Sequence, residues 1–485
     1  MNRERLKTLI LSILVIISVI LTQQLWFPSP VNTLKMGAGA NKDSHMTVIE
    51  ERKNIVSPKT IIVSFGVGDR KKNYYTILSS DIDSVWNRSK VILRDYFSGD
   101  PEIIPVEHDV YVQAGILKSI ELEFGDNMPT ALISSVFDSS DSKIVKNIKE
   151  IKKILIPAFN QGTIYIAGSK EDDIYEARLY GYEKNTALVD FIDELEGKEF
   201  TKYHPVSSLF DDIDENYTII PINYALTAKQ IFVESEIDVK DEIRLREYVK
   251  NFFGEGFDFV KTIKETSGAV VYIYGYGEKS VRINKEGILE YNEEIGSMSG
   301  TNVLVSLDAA VDFVCENGGF PEGTYLKHVQ AITDGQNKGY RFLFGYRMGG
   351  LPIEFDRNKM ESPLKIEVYG NKVKTYHNLV RRAMNMQGVD SEQKILYFPS
   401  IIEKNIRHLE LLYPDSENQS KKGKHDEEKI SQILKDIEEV RLVYFDTMER
   451  QRIQLLRPGW RMKIKNYIYY FDGYTGELIG RFMPD

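Results

Sequence analysis

Apolar positions follow several rhythms along this chain, and the first is an unbroken run. From Thr8 to Phe27 the sequence TLILSILVIISVILTQQLWF carries no charge. At about 1.5 Å rise per residue such a run makes a helix about 30 Å long, the thickness of a bilayer's hydrocarbon core. Leu9, Ile10, Leu11, Ile13, Leu14, Val15, Ile16, Ile17, Val19, Ile20 and Leu21 supply its apolar surface. Trp26 falls where an interfacial aromatic belt would lie, and Pro28 and Pro30 stop the helix. Arg3, Arg5 and Lys7 precede it, which orients the N-terminus to the cytoplasm and everything after Phe27 to the outside. A cleaved signal peptide shares the basic start and apolar middle. Thr22 to Trp26 hold no small-x-small site, however, which favours a retained anchor. Ser12 and Ser18 could make lateral contacts in lipid, where hydroxyl residues let helices approach and hydrogen bond.

Beyond the anchor the pattern predicts an α+β body in several parts. Residues 29–58 show no sustained period and read as a tether. In 59–225, short β-type runs (Thr60 to Phe65, Ser119 to Phe124, Thr163 to Ala167, Tyr217 to Ile222) alternate with helical spacing. One helical stripe is Ile82, Val85, Trp86, Ser89, Leu93 and Tyr96, and a second is Ile144, Ile148, Ile151 and Leu155, a surface helix ended by Pro157. A middle domain over 226–298 and a C-terminal one over 299–485 show a coarse repeat, in which one amphipathic helix three times precedes an antiparallel meander. The first helix is capped by Asp241, has Leu245, Tyr248, Val249 and Phe252 on one face, and stops at Gly254. The second is capped by Ser306, with Leu307, Ala310, Val311 and Val314 on its face. The third carries Ile430, Ile433, Leu434, Ile437 and Val440.

Composition narrows the function classes. A formal charge of −10, with 62 basic residues interspersed among 72 acidic ones, gives no field for nucleic acid. One cysteine, Cys315, makes no intramolecular disulfide and reads as a small core residue. The seven histidines lie far apart, without ligand spacing, so no local metal motif is present. Asp212, Asp214 and Asn216 begin like a calcium loop, but Tyr217 stands where the turning glycine belongs. Gly66-Val67-Gly68 and Gly275-Tyr276-Gly277 lack the third glycine of a dinucleotide loop. No catalytic, cofactor or metal residue is therefore assigned. The C-terminal ladder Tyr467, Tyr469, Tyr470, Phe471 and Tyr474 has binding character, and Tyr470 and Tyr474 are candidate partner contacts, with core packing the competing account.

The opening MNRERLKTLILSILVIISVILTQQLWF, the single anchor, the cysteine-poor α+β body and the ending YYFDGYTGELIG together resemble the YycH (WalH) family. The segment NYIYYFDGYTGELIG also resembles the final hairpin of the YycI family and of PepSY-type modules. The resemblance implies a non-enzymatic, membrane-anchored regulator without cofactors. Its partners would be the sensor histidine kinase WalK, YycI and the membrane, and its role the control of cell-wall metabolism. Two other classes stay open: an extracytoplasmic module that senses a peptide or wall fragment, and a cell-wall hydrolase.

Overall fold

A computed structural model describes residues 44–483, apart from 68–71, 161, 171, 182–186, 211–212, 214–215, 223–226, 299, 385–391, 413–429 and 449–451. The anchor residues, Arg3, Arg5, Lys7, Ser12 and Ser18 lie outside the described residues, as do Asp212 and Asp214. Among those described, no helix is long and apolar enough to cross a membrane.

Strict alternation builds the first sheet. Nine strands pair antiparallel in the order Glu102–Pro105, Ile174–Arg178, Thr163–Ala167, Lys153–Pro157, Ser119–Glu123, Thr60–Val67, Asn73–Ile77, Tyr203–Pro205 and Ile219–Pro221. Ile61, Val63, Ile120, Leu122, Ile154 and Ile156 point into one core, where the helix Ile82–Ser98 buries Val85, Trp86, Leu93 and Tyr96 as its spacing predicts. The residues between them, Ile62, Ser64, Glu121, Glu123 and Lys153, belong to the opposite face.

The three helix-plus-meander units are present. Helix Glu242–Phe253 leads into Lys261–Lys264, Val270–Tyr274, Lys279–Ile283 and Leu289–Glu293; helix Val303–Glu316 leads into Tyr325–Asp334, Asn337–Gly345, Leu364–Tyr369 and Lys372–Asn378. Helix 430–436 leads into Ile437–Asp446, Pro458–Ile464, Tyr467–Asp472 and Leu478–Phe482. In each unit these four strands pair antiparallel in chain order.

The first two units fuse through their last strands into one eight-stranded sheet, with Tyr291 opposite Tyr376. Phe252 and Phe313, one from each helix, close over that pair at centroid distances of 5.5 Å (Phe252 to Tyr291) and 5.4 Å (Phe313 to Tyr376). The third unit joins the second where Leu351–Phe355 runs parallel to Ile437–Asp446. Lys42–Asp485 thus form one compact unit, and strand pairing runs across the boundary expected at 298/299.

Five local expectations are corrected. Ile144, Ile148, Ile151 and Leu155 do not share a helix: a short helix, Lys143–Asn147, gives way to the strand Lys153–Pro157, because the run KILIP has sheet partners on both sides. The second half of the tether is the helix Ser44–Ile55, held by Arg52, whose Nη1 donates to Asp308 Oδ1 at 2.6 Å. Asn302, not Ser306, caps the helix at 303, its Oδ1 accepting from Leu304 N at 2.9 Å, while buried Ser306 donates to the Gly370 carbonyl. The third helix ends at 436, and Ile437 and Val440 belong to a strand paired with Ile464 and Met462. Cys315 lies exposed on its helix and not in the core.

Close backbone approaches lock the first sheet to the repeat units. Asp126 N donates to the Lys327 carbonyl at 2.9 Å, and Arg347 Nη2 donates to the carbonyls of Pro58 and Lys59 at 2.6 and 2.8 Å. Gly350 sits at φ +80°, where an added Cβ would meet the Ser79 carbonyl oxygen at 1.6 Å. Gly350→Ala should therefore destabilise by on the order of 3 kcal/mol or more, through strain and forced separation. Gly335→Ala, at φ +60° in open space, should cost only about 1 kcal/mol. Denaturant midpoints of the two variants check this, and equal losses would refute it.

Candidate functional site

The polar face of the nine-stranded sheet and the first strand of the third unit enclose a cleft of about 510 Å³. Period-two alternation put its chemistry there. In Ser119-Ile120-Glu121-Leu122-Glu123 the isoleucine and leucine enter the core, and the two carboxylates are left facing the cleft. Helix His108–Ile116 covers one end of that face, with Tyr111 donating to Glu121 Oε2 at 2.8 Å. Asn216 ties the other side down, its Nδ2 donating to the carbonyls of Leu434 and Ile437 at 2.8 and 2.9 Å.

A relay of charges crosses the junction. Lys153 Nζ meets Glu121 Oε1 at 2.8 Å, and Lys59 Nζ meets Glu123 Oε1 at 3.2 Å. Arg441, on the facing strand, pairs its Nη2 with Glu123 and donates from Nη1 to Thr60 Oγ1 at 2.6 Å. Its Nε lies 3.2 Å from Glu439 Oε1, and Glu439 in turn pairs with Arg461 Nη1. Arg461 Nε approaches Glu354 Oε2 at 3.2 Å without the alignment of a hydrogen bond, and Tyr470 donates its hydroxyl to the same carboxylate.

Electrostatics fixes the protonation of this relay. Burial alone would push Glu123 up, but Arg441, Lys59 and Lys153 outweigh it and hold the carboxyl far below its usual range. Glu354 is likewise driven up by burial and then lowered to about 2 by Arg461, Lys327 and the Tyr470 hydroxyl. Glu439 follows the same direction, with burial opposed by Arg441 and Arg461. Burial, reinforced by Glu121, pushes Tyr111 well above its ordinary value, so it stays a neutral donor. These acids are ionised and paired throughout the neutral range. Glycoside hydrolysis needs a carboxylic acid kept protonated near neutrality, the opposite tuning.

The residues singled out as partner contacts do not gather here. Tyr470 is fully buried, stacked on Phe445 at 4.2 Å between centroids, so it serves the sheet interior and offers no surface. Tyr474 is partly buried, and its hydroxyl donates to the Ala228 carbonyl at 2.9 Å. The relay residues were missed because they are scattered from Lys59 to Arg461. The visible signal was local: alternating acids in SIELE and alternating charges in EEVRL.

Residues 4–186 match the family model described as YycH protein, N-terminal domain. The crystal structure of YycH from Bacillus subtilis is similar at a TM-score of 0.49 and 12% identity, over 91% of this chain and 97% of that one. An uncharacterized protein from Eubacterium rectale is similar at a TM-score of 0.33 and 14% identity, over 55% of this chain and 90% of that one. No curated protein matches the chain.

Two outcomes follow from the relay. Arg441→Met takes one cation from each of the buried acids Glu123 and Glu439, leaving them Lys59 and Arg461, and should cost about 3 kcal/mol, whereas adding Glu123→Gln should restore at least about 1 kcal/mol of that. Urea denaturation of both variants decides it, and an additive double mutant would show that the two side chains are uncoupled. The second outcome concerns acid. A carboxyl whose folded value is depressed stabilises the fold above its unfolded value and loses that contribution as pH falls through the folded one. For Glu354 the window runs from about pH 4.5 down to about pH 2, and the contribution at stake is on the order of 3 kcal/mol. Thermal melts at pH 7, 4.5 and 3 should show the midpoint level between the first two and falling by the third, and the fall should be smaller in Glu354→Gln.

Proposed function

We propose, on the premise that this chain belongs to the YycH family through residues 4–186, that it is a non-enzymatic regulator of the two-component system of the WalK-type sensor histidine kinase. In this reading it binds the kinase together with YycI and adjusts the expression of cell-wall metabolism genes. The observation that carries the reading is the family match itself, which includes both the uncharged segment Thr8 to Phe27 and most of the nine-stranded sheet. The relay chemistry supports it, because its acids are committed to arginines and lysines instead of being poised for proton transfer.

The proposed location is the cell membrane, with Arg3, Arg5 and Lys7 inside, Thr8 to Phe27 spanning and the body outside. Confinement to a membrane raises the effective concentration of the body toward a neighbouring kinase, so a weak contact is occupied without a large interface. Contacts within lipid, for which Ser12 and Ser18 are the candidates, contribute only about 1 kcal/mol each, which suits an adjustable bias better than permanent locking.

Replacing Leu9 to Leu21 with an unrelated spanning sequence, while keeping Arg3, Arg5 and Lys7, separates proximity from bias. The chimera should localise normally yet shift expression of the kinase's target genes toward that of a deletion strain. Unchanged output from the chimera would reduce the anchor to a tether. Unchanged output from the deletion strain itself would sink the regulatory reading.

A further inference from the structure

The cleft beside the relay has a size, a charge balance and a set of side chains that point to a ligand, whatever the regulatory role of the chain. Its volume of about 510 Å³ falls within the range of small-molecule sites. The charges on its lining balance, Glu121, Glu123, Glu438 and Glu439 against Lys152, Lys153, Arg441 and Lys463. All four acids are paired, Glu121 with Lys153, Glu123 with Lys59 and Arg441, Glu439 with Arg441 and Arg461, and Glu438 with Lys463, while Lys152 faces the charge of Asp126. A ligand with net charge would have to displace one of these partners and leave the other buried and uncompensated. A neutral ligand meets no such cost.

The paired groups still have hydrogen-bonding capacity. A carboxylate offers about four lone-pair positions and an ammonium three N–H donors. Glu121 uses its two oxygens for one bond each, to Lys153 and Tyr111. A hydroxyl group, donor and acceptor at once, can bridge such neighbours without disturbing their charge. Two tyrosines complete the walls. Tyr75 belongs to the sheet face, and burial pushes its hydroxyl up to about 12, so it stays neutral. Tyr217, about half exposed, lies at the seam next to Asn216. Their rings offer rigid amphipathic surfaces of the kind that cover the C–H face of a sugar ring.

We propose that this cleft binds a neutral, hydroxyl-rich ligand of one or two pyranose rings, held between Tyr75 and Tyr217 and hydrogen bonded to the charged side chains of its floor. The ligand would lie against the Glu123–Arg441 pair that joins the two sheets, so its occupancy would be coupled to how firmly they are held together.

The test is calorimetry and saturation-transfer NMR on the full chain, in a detergent without a sugar headgroup, with N,N′-diacetylchitobiose and maltose as probes. Saturable binding of at least one sugar is expected, weakened roughly tenfold or more by Tyr75→Ala and by Tyr217→Ala, and unchanged by Tyr276→Ala on a distant exposed turn. Thermal melts show which variants remain folded, and if Tyr75→Ala does not, the exposed Tyr217→Ala carries the comparison. Absence of binding by either sugar would overturn the proposal. So would binding indifferent to both tyrosines, or tighter binding of inorganic phosphate or of a lysine dipeptide. Sugar binding is read on the isolated chain and regulation on target genes in cells, so either reading can fail without the other.

Discussion

Arg441 is the residue on which the junction of this molecule turns. It reaches Thr60 and Glu123 on the first sheet while staying paired with Glu439 on its own strand. A guanidinium can do this because its five N–H donors are fixed in a plane and point in different directions, whereas a lysine at the same place could not satisfy three partners with one rigid group. The pairs around it are nearly dry, with Glu123 and Arg441 side chains only 5% and 13% exposed. Taking these charges out of water is expensive, and two apolar residues of equal volume would hold the sheets together at least as well. What an ionic junction supplies instead is a fixed register: a one-residue slip of the strand Ile437–Asp446 would turn Arg441 away from Glu123 and Thr60, leaving Glu123 with Lys59 alone.

The junction between the first two repeat units is built on the opposite principle. There the last strands pair directly, Tyr291 meets Tyr376, and Phe252 and Phe313 pack across them. Burial of aromatic area is non-directional and has no pH dependence, and the backbone ladder below it removes two sheet edges at once. One part of the body is therefore held by dry aromatic packing. The other is held in addition by charges that respond to acid and that line an open cleft.

How much of this could be read from the sequence depends on the range of the interaction. Short β-type runs such as Thr163 to Ala167 appear as strands where expected, as does the helix whose stripe runs from Ile82 to Tyr96. Helix, then meander, three times over, was also legible, since each unit is made of local contacts. KILIP was misread because Ile144, Ile148 and Ile151 happen to keep a helical period up to it, while two neighbouring strands decide its fate. Helix Ser44–Ile55 was missed for a related reason: its sequence has almost no apolar stripe, and a distant aspartate, Asp308, holds it. The relay lay furthest from view. Lys59, Glu123, Glu354, Arg441 and Arg461 are ordinary surface-type residues in sequence, and only the pairing of sheets makes them a site.

The same range argument bears on how the parts move. Strand ladders close each meander and also join the three units to one another, so the repeat units hold their shape together. The first sheet and the third unit touch through side chains: at one end Val206, Ile213 and Ile220 share an apolar core with Ile433, Leu434 and Ile437, and beside it lie the tips of Arg441, Thr60 and Glu123, and Asn216 on the carbonyls of Leu434 and Ile437. Side-chain tips can exchange partners at a cost of a few kcal/mol, whereas a strand ladder must be unzipped. If this body changes shape when something binds it, the place of least resistance is the relay, and the cleft is the opening through which it can be reached.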